Sequence, residues 1–119
     1  MNRAAWTQKL GPSKKKGFVV YVDEKILEQF KMALAWSGLN RQAYLSVRIH
    51  QFCVSVESGV GWHGRKFKKT GKRKQLFLNI DEHLKDRFDV AVDRTSYHKS
   101  DIVCEAIYAL IQDWKRTAQ

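Results

Sequence analysis

The chain has 119 residues, 44% of them hydrophobic, and a formal net charge of +10. That is enough for one modest core, too apolar for wholesale disorder, and basic enough to favour a polyanionic partner, nucleic acid ahead of an anionic membrane. No apolar run approaches the roughly 18 residues of a membrane span.

Residues 1–16 read as a basic, flexible N-terminal arm containing Trp6 and no acidic residue. The arm lacks an apolar stretch, so it is not expected to be a secretory signal. Phe18–Val22 is short, β-branched and aromatic, which predicts a strand. Asp23 suits a helix N-cap and Glu24 the positively polarised first turn. Ile26, Leu27, Phe30, Ala33 and Leu34 then share one helical face, and Ser37-Gly38 predicts the stop. Asn40 predicts the cap of a second helix, whose apolar face is Tyr44, Leu45, Ile49, Phe52, Cys53 and Val56. Residues 57–74 form a basic, glycine-rich linker with seven basic residues against Glu57. Trp62, within it, has no evident core role, which leaves docking of a partner or local packing. Leu76–Ile80 predicts a second strand, Asp81 a second cap, and Leu84, Phe88, Ala91 and Val92 a second buried stripe. His98 is a weaker cap for the last helix, which carries Ile102, Val103, Ala106, Ile107, Leu110, Ile111 and Trp114.

Shifted by 58 positions, residues 14–53 fall without a gap over residues 72–111. Asp23 meets Asp81, Glu24 meets Glu82, Phe30 meets Phe88 and Ala33 meets Ala91. Each copy is too small for its own core, and each lone strand leaves its backbone unpaired. Pairing the copies removes both defects. The expected fold is mainly α with a two-stranded antiparallel ribbon. It has an arm at 1–16, one strand-helix-helix unit at 17–56, the linker at 57–74 and a second unit at 75–115.

A strand followed by Asp-Glu, then Ser37-Gly38-Leu39-Asn40-Arg41-Gln42, resembles the ribbon-helix-helix (MetJ/Arc) superfamily of DNA-binding proteins. Thr95-Ser96-Tyr97-His98-Lys99-Ser100 is the matching turn, although it lacks the glycine. Two units in one chain, with the run Trp36-Ser37-Gly38-Leu39-Asn40-Arg41, are similar to the TraY family of conjugative plasmids. The resemblance implies a tandem ribbon-helix-helix pseudo-dimer, a monomer in this tandem reading, that binds double-stranded DNA near an origin of transfer. Its unlike strand triplets call for an asymmetric site, and its two cysteines, Cys53 and Cys104, fit a reducing cytoplasm. It implies a relaxosome accessory role: bending DNA, assisting a relaxase alongside partners such as integration host factor, and regulating the transfer operon promoter. The alternative is a phage or plasmid transcriptional repressor with the same fold.

The superfamily geometry turns Phe18, Val20 and Val22, with Leu76, Leu78 and Ile80, toward the core. The opposite face then holds Gly17, Val19 and Tyr21 beside Gln75, Phe77 and Asn79. Val19, Tyr21, Gln75, Phe77 and Asn79 are the candidate base contacts, since Asn and Gln pair bidentately with adenine and apolar groups touch thymine methyls. Phe77 is the odd member, and it is as ready to lean on backbone as on a base. Gln75 and Asn79 are expected to read one half of the site. Candidate phosphate contacts are Lys14, Lys15, Lys16, Lys72, Arg73 and Lys74. The second-helix starts add Asn40, Arg41 and Gln42, with His98, Lys99 and Ser100.

No catalytic group, metal or cofactor is expected. The G-x-G-x-x-G spelled by Gly59, Gly61 and Gly64 follows a helix and precedes a strand, the reverse of a dinucleotide motif. His50 and Cys53 lack further ligands nearby. Asp23-Glu24 and Asp81-Glu82 sit at strand–helix junctions beside no nucleophile.

Overall fold

The computed structural model describes residues 14–67 and 71–118. Trp6 and most of the N-terminal arm lie outside the described residues. The element order is β1 (Lys15–Asp23), α1 (Glu24–Ser37), α2 (Arg41–Glu57), β2 (Arg73–Asp81), α3 (Glu82–Asp93) and α4 (Lys99–Ala118). The chain is therefore mainly helical with one two-stranded antiparallel sheet, compatible with a small fold of the ribbon-helix-helix kind. No described helix is long and apolar enough to cross a membrane.

Both strands run longer than their apolar segments. β1 pairs with β2 from Lys15 opposite Asp81 to Asp23 opposite Arg73. The basic flank of each strand thus continues the ladder alongside the capping aspartate of the other, because backbone pairing does not require apolar side chains. The central pair is Val19 opposite Phe77, which are 58 residues apart, the same interval as the repeat.

The caps form as the residue types dictate. Asp23 Oδ1 accepts from the backbone N–H of Lys25 and Ile26, and Asp81 Oδ1 accepts from His83 and Leu84, at 2.9 and 3.2 Å in each case. Glu24 N–H donates to Lys72 O at 3.0 Å and Glu82 N–H to Lys14 O at 2.8 Å, so each helix start also closes on the other strand's entry. Gly38 ends α1 with φ +70°, a left-handed conformation that its missing Cβ permits.

The second turn reaches the same result with other groups. Ser37 Oγ donates to Leu34 O at 3.1 Å, and at the matching place Thr95 Oγ1 donates to Val92 O at 2.8 Å. Asn40 caps α2 by accepting from Ala43 N–H at 3.0 Å. In the second copy the direction reverses. His98 contributes no side-chain cap, and its backbone N–H instead donates to Asp101 Oδ2 at 2.8 Å. Asp101 stands three residues into the helix, where a carboxylate reaches back to the cap N–H.

α1 packs on α4 and α2 on α3, with α2 also against α4 and all four helices against the strands. The packing partners come from opposite halves of the chain, so both halves share one contiguous core. Val20, Val22, Leu76, Leu78 and Ile80 face into it from the sheet, with Phe18 half-buried. Phe30 and Phe88 are fully buried, as are Leu45, Val103 and Ile107. Tyr44 ties α2 to α4 by donating its hydroxyl to Ala106 O at 2.5 Å.

The connector gives Trp62 a local packing role. Its indole lies edge-on between Phe52, with centroids 5.6 Å apart, and Tyr97, at 4.5 Å. Tyr97 donates its hydroxyl to Gly64 O at 2.8 Å, and Phe67 N–H donates to Asp101 Oδ1 at 3.0 Å. Buried Asp101 therefore holds both the helix start and the connector. The stretch through Phe67 is a strap across the second unit, since an aromatic side chain buries more area than the glycines around it cost in order.

Cys53 and Cys104 are free and buried in that core. Burial pushes both thiols up to about 11, so neither is a thiolate near neutrality. Ellman's reagent is expected to react slowly with the native chain at pH 7.5 and to titrate two thiols promptly in denaturant. Prompt native reaction of either would place it outside the core.

Asp89 links α3 to the start of α4. It accepts from Lys85 Nζ at 2.7 and 2.8 Å and forms an ion pair with Lys99. Partial burial works against its charge, but the hydrogen bonds from Lys85 and Lys99 prevail and hold the carboxyl below its ordinary value. A depressed carboxyl pKa contributes stability above the unfolded value, and loses it as pH falls through the folded value. The difference in melting temperature between wild type and Asp89→Asn is expected to be present at pH 7 and to shrink as pH falls below the ordinary aspartate value of about 3.9. A difference independent of pH would count against this ion pair.

Candidate nucleic-acid interface

The alternation of a strand sorts side chains to two faces. With Val20, Val22, Leu76, Leu78 and Ile80 buried beneath, the outer face carries Lys15, Gly17, Val19 and Tyr21 beside Arg73, Gln75, Phe77 and Asn79. All eight are exposed. Val19, Tyr21 and Phe77 leave 41%, 46% and 56% of their surface open, unusual for a sheet face unless it meets another surface. None of the described helices covers this face, because they pack beneath the ribbon.

The two ends of the face differ. At one end Tyr21 stands opposite Gln75, whose Nε2 donates to the Tyr21 hydroxyl at 3.1 Å. Arg73 lies over the Tyr21 ring, its guanidinium carbon 5.4 Å from the centroid. At the other end Gly17 stands opposite Asn79. Asn79 has no hydrogen bond to its side-chain amide among the described residues. Phe77 leans from the centre toward this end: a Cβ built on Gly17 would lie 2.5 Å from Phe77 Cζ. The ring thus rests on bare glycine backbone, which accounts for a phenylalanine on the outer face.

The register separates Gln75 from Asn79. They lie on either side of the central Val19–Phe77 pair, four residues or roughly 13 Å apart along β2. Each belongs with a different end.

The basic flanks divide by the same alternation. Lys16 and Lys74 point off the outer face toward the helices. Lys16 Nζ pairs with Asp86 at 3.0 Å and Lys74 Nζ with Glu24 at 3.5 Å. The Asp86 hydrogen bond raises the Lys16 pKa above its ordinary value. Lys15 and Arg73 share the outer face with the candidate base contacts. Lys14 and Lys72 are exposed at the strand entries, and neither they nor Lys15 form an ion pair among the described residues.

At the second-helix starts the expected residues are only partly available. Gln42 turns its amide onto β2, donating from Nε2 to Phe77 O at 3.3 Å and accepting at Oε1 from Asn79 N–H at 3.0 Å. It closes part of the strand's free edge and anchors α2 under the outer face. Asn40 spends its side-chain oxygen on its own helix, and Lys99 is held by Asp89. Arg41 and His98 are exposed, and Ser100 is half-buried where Gln42 stands in the first copy.

The roles of Asp86 and Glu24 as lysine partners were not legible in sequence, because each joins residues from different halves. The outward direction of Arg73 and Lys15 was available from the period-two pattern, had the strands been extended by the length of their basic flanks.

The remaining chemistry is sparse. Among the described residues no three His, Cys, Asp or Glu side chains gather as a metal site would require. His50 Nδ1 lies 3.3 Å from Arg87, which is itself paired with Glu57 at 2.7 Å. Comparison with protein-family models, curated proteins and solved structures gives no match to this chain.

Proposed function

We propose that this chain is a sequence-specific double-stranded DNA-binding protein, a tandem ribbon-helix-helix pseudo-dimer in one polypeptide. The observation that carries the reading is the outer face of the two-stranded ribbon, which no described helix covers. It offers amides, a phenol, a guanidinium and apolar groups between strand entries rich in lysine. A two-stranded ribbon fits the major groove, where each base pair presents a distinct pattern of donors, acceptors and methyls. Val19, Tyr21, Gln75, Phe77 and Asn79 face the bases in this reading. Lys14, Lys15 and Lys72 meet phosphates, together with Arg41 and the start of α4. The unlike ends of the face call for an asymmetric site rather than a perfect inverted repeat.

The setting we propose is the origin of transfer of a conjugative plasmid, where the protein bends DNA and assists a relaxase, and also regulates the transfer promoter. That setting rests on the similarity of the 36–41 run and the tandem units to the TraY family. The test of the DNA-binding reading is selection from random duplex DNA. A non-palindromic enriched site is expected, and the absence of any enriched sequence would refute it. The setting is tested separately by relaxase nicking of supercoiled origin DNA, which the protein should stimulate.

A further inference from the structure

We propose that Arg73 is a base-reading residue that selects guanine at the Tyr21 end of the ribbon. This rests on the DNA-binding reading above and assigns Arg73 a role other than phosphate contact. Three observations support it. Arg73 shares the outward parity of Gln75, Phe77 and Asn79, one alternation beyond Gln75. Its guanidinium carbon lies 5.4 Å from the Tyr21 ring centroid, within the range of an attractive cation–π contact. It forms no ion pair among the described residues, whereas Lys74 beside it is paired with Glu24.

The stacking is what separates a base reader from a phosphate contact. A guanidinium is a planar fork whose parallel N–H groups match guanine O6 and N7. Resting on a ring removes most of the rotamer freedom that such a contact would otherwise cost. The ring is itself fixed, since the Tyr21 hydroxyl accepts from Gln75 Nε2 at 3.1 Å. Two residues of strand advance roughly 6.6 Å, about two base-pair rises. The guanine should therefore lie about two base pairs outside the base facing Gln75.

The other end has no equivalent. Lys15 occupies the place matching Arg73, and Asn79 the place matching Tyr21. A lysine without an aromatic platform is a mobile point charge, suited to phosphate. The guanine preference should thus appear at one end of the site only.

The test is selection from random duplex DNA with the full chain, followed by affinity titrations in salt. Wild type is expected to enrich guanine at one outer position. Arg73→Lys keeps the charge and should keep the salt slope, but should lose a guanine discrimination of roughly 5- to 150-fold at that position. Tyr21→Phe keeps the platform and should retain the guanine preference, whereas Tyr21→Leu should lose it. Circular dichroism confirms that each variant is folded, as expected for exposed positions. The assignment is overturned if Arg73→Lys retains the preference. It is also overturned if Arg73→Ala weakens all sequences equally while lowering the salt slope by about 0.9. If wild type enriches no sequence at all, the DNA-binding reading fails first.

Discussion

Replacing Phe88 by alanine is expected to lower the unfolding free energy by about 3–5 kcal/mol. The ring is fully buried on α3 and sits at the meeting point of both halves. It touches Phe18 of β1 at 5.8 Å and Phe52 of α2 at 5.8 Å, edge-on to the latter, and Phe52 in turn supports Trp62 of the connector. Its removal therefore leaves a void that no single element can close by shifting. Against a typical total of about 5–15 kcal/mol, such a loss is a large share of the whole stability. In urea the midpoint should fall while the slope stays constant, because the surface exposed on unfolding barely changes. A loss under about 1 kcal/mol would mean that the pocket collapses freely, and that the two halves are less interdependent than their packing implies.

The second large effect is on recognition. Asn79→Ala is expected to cost about 1–3 kcal/mol of binding to the selected site, roughly 5- to 150-fold. Its amide is unpaired within the described protein, so it is free to make a bidentate contact, and its loss removes no internal bond. Non-specific binding and melting temperature should stay near wild type. Gln75→Ala should act at the opposite end of the site and somewhat differently, because Gln75 also fixes Tyr21. Footprints or selected sequences of the two variants should therefore relax at separate positions. Relaxation of both at one position would contradict the register as a map of the site.

Much of the fold was legible because its signals are local. Asp23 and Asp81 cap the following helices through their own next residues, Gly38 stops α1 through its own φ, and the buried parity of Val20, Val22, Leu78 and Ile80 follows from alternation once one residue is placed. The repeat supplied the rest, since Phe30 and Phe88 or Leu45 and Val103 occupy matching buried places. What escaped was long-range and polar. The role of Trp62 stayed open because Phe52 and Tyr97 lie on opposite sides of it in sequence, 10 and 35 residues away. Asp101 carried no signal of its role, since it accepts from Phe67, 34 residues before it, as well as from His98. Gln42 looked like a phosphate ligand because nothing in the sequence set its amide against β2. The interface divided in the same way. Its outward residues followed from strand period, but the Tyr21–Gln75 bond, the Arg73 stack and the Phe77–Gly17 contact depend on register, which the sequence left open.

That register has a consequence for how the protein can change. Val19 faces Phe77 at the centre of the ribbon, each at the same place in its own copy. Where two identical chains meet, a mutation at such a position is imposed twice and must suit itself across the axis. Here a single codon change alters one strand and leaves the other as it was. A swap that widens one end of the ribbon, or replaces Gly17 and displaces the Phe77 ring, need not be tolerated in duplicate. Covalent linkage thus lets the two strands drift independently, and under the proposed DNA-binding function it would let the protein follow a changing target one base at a time.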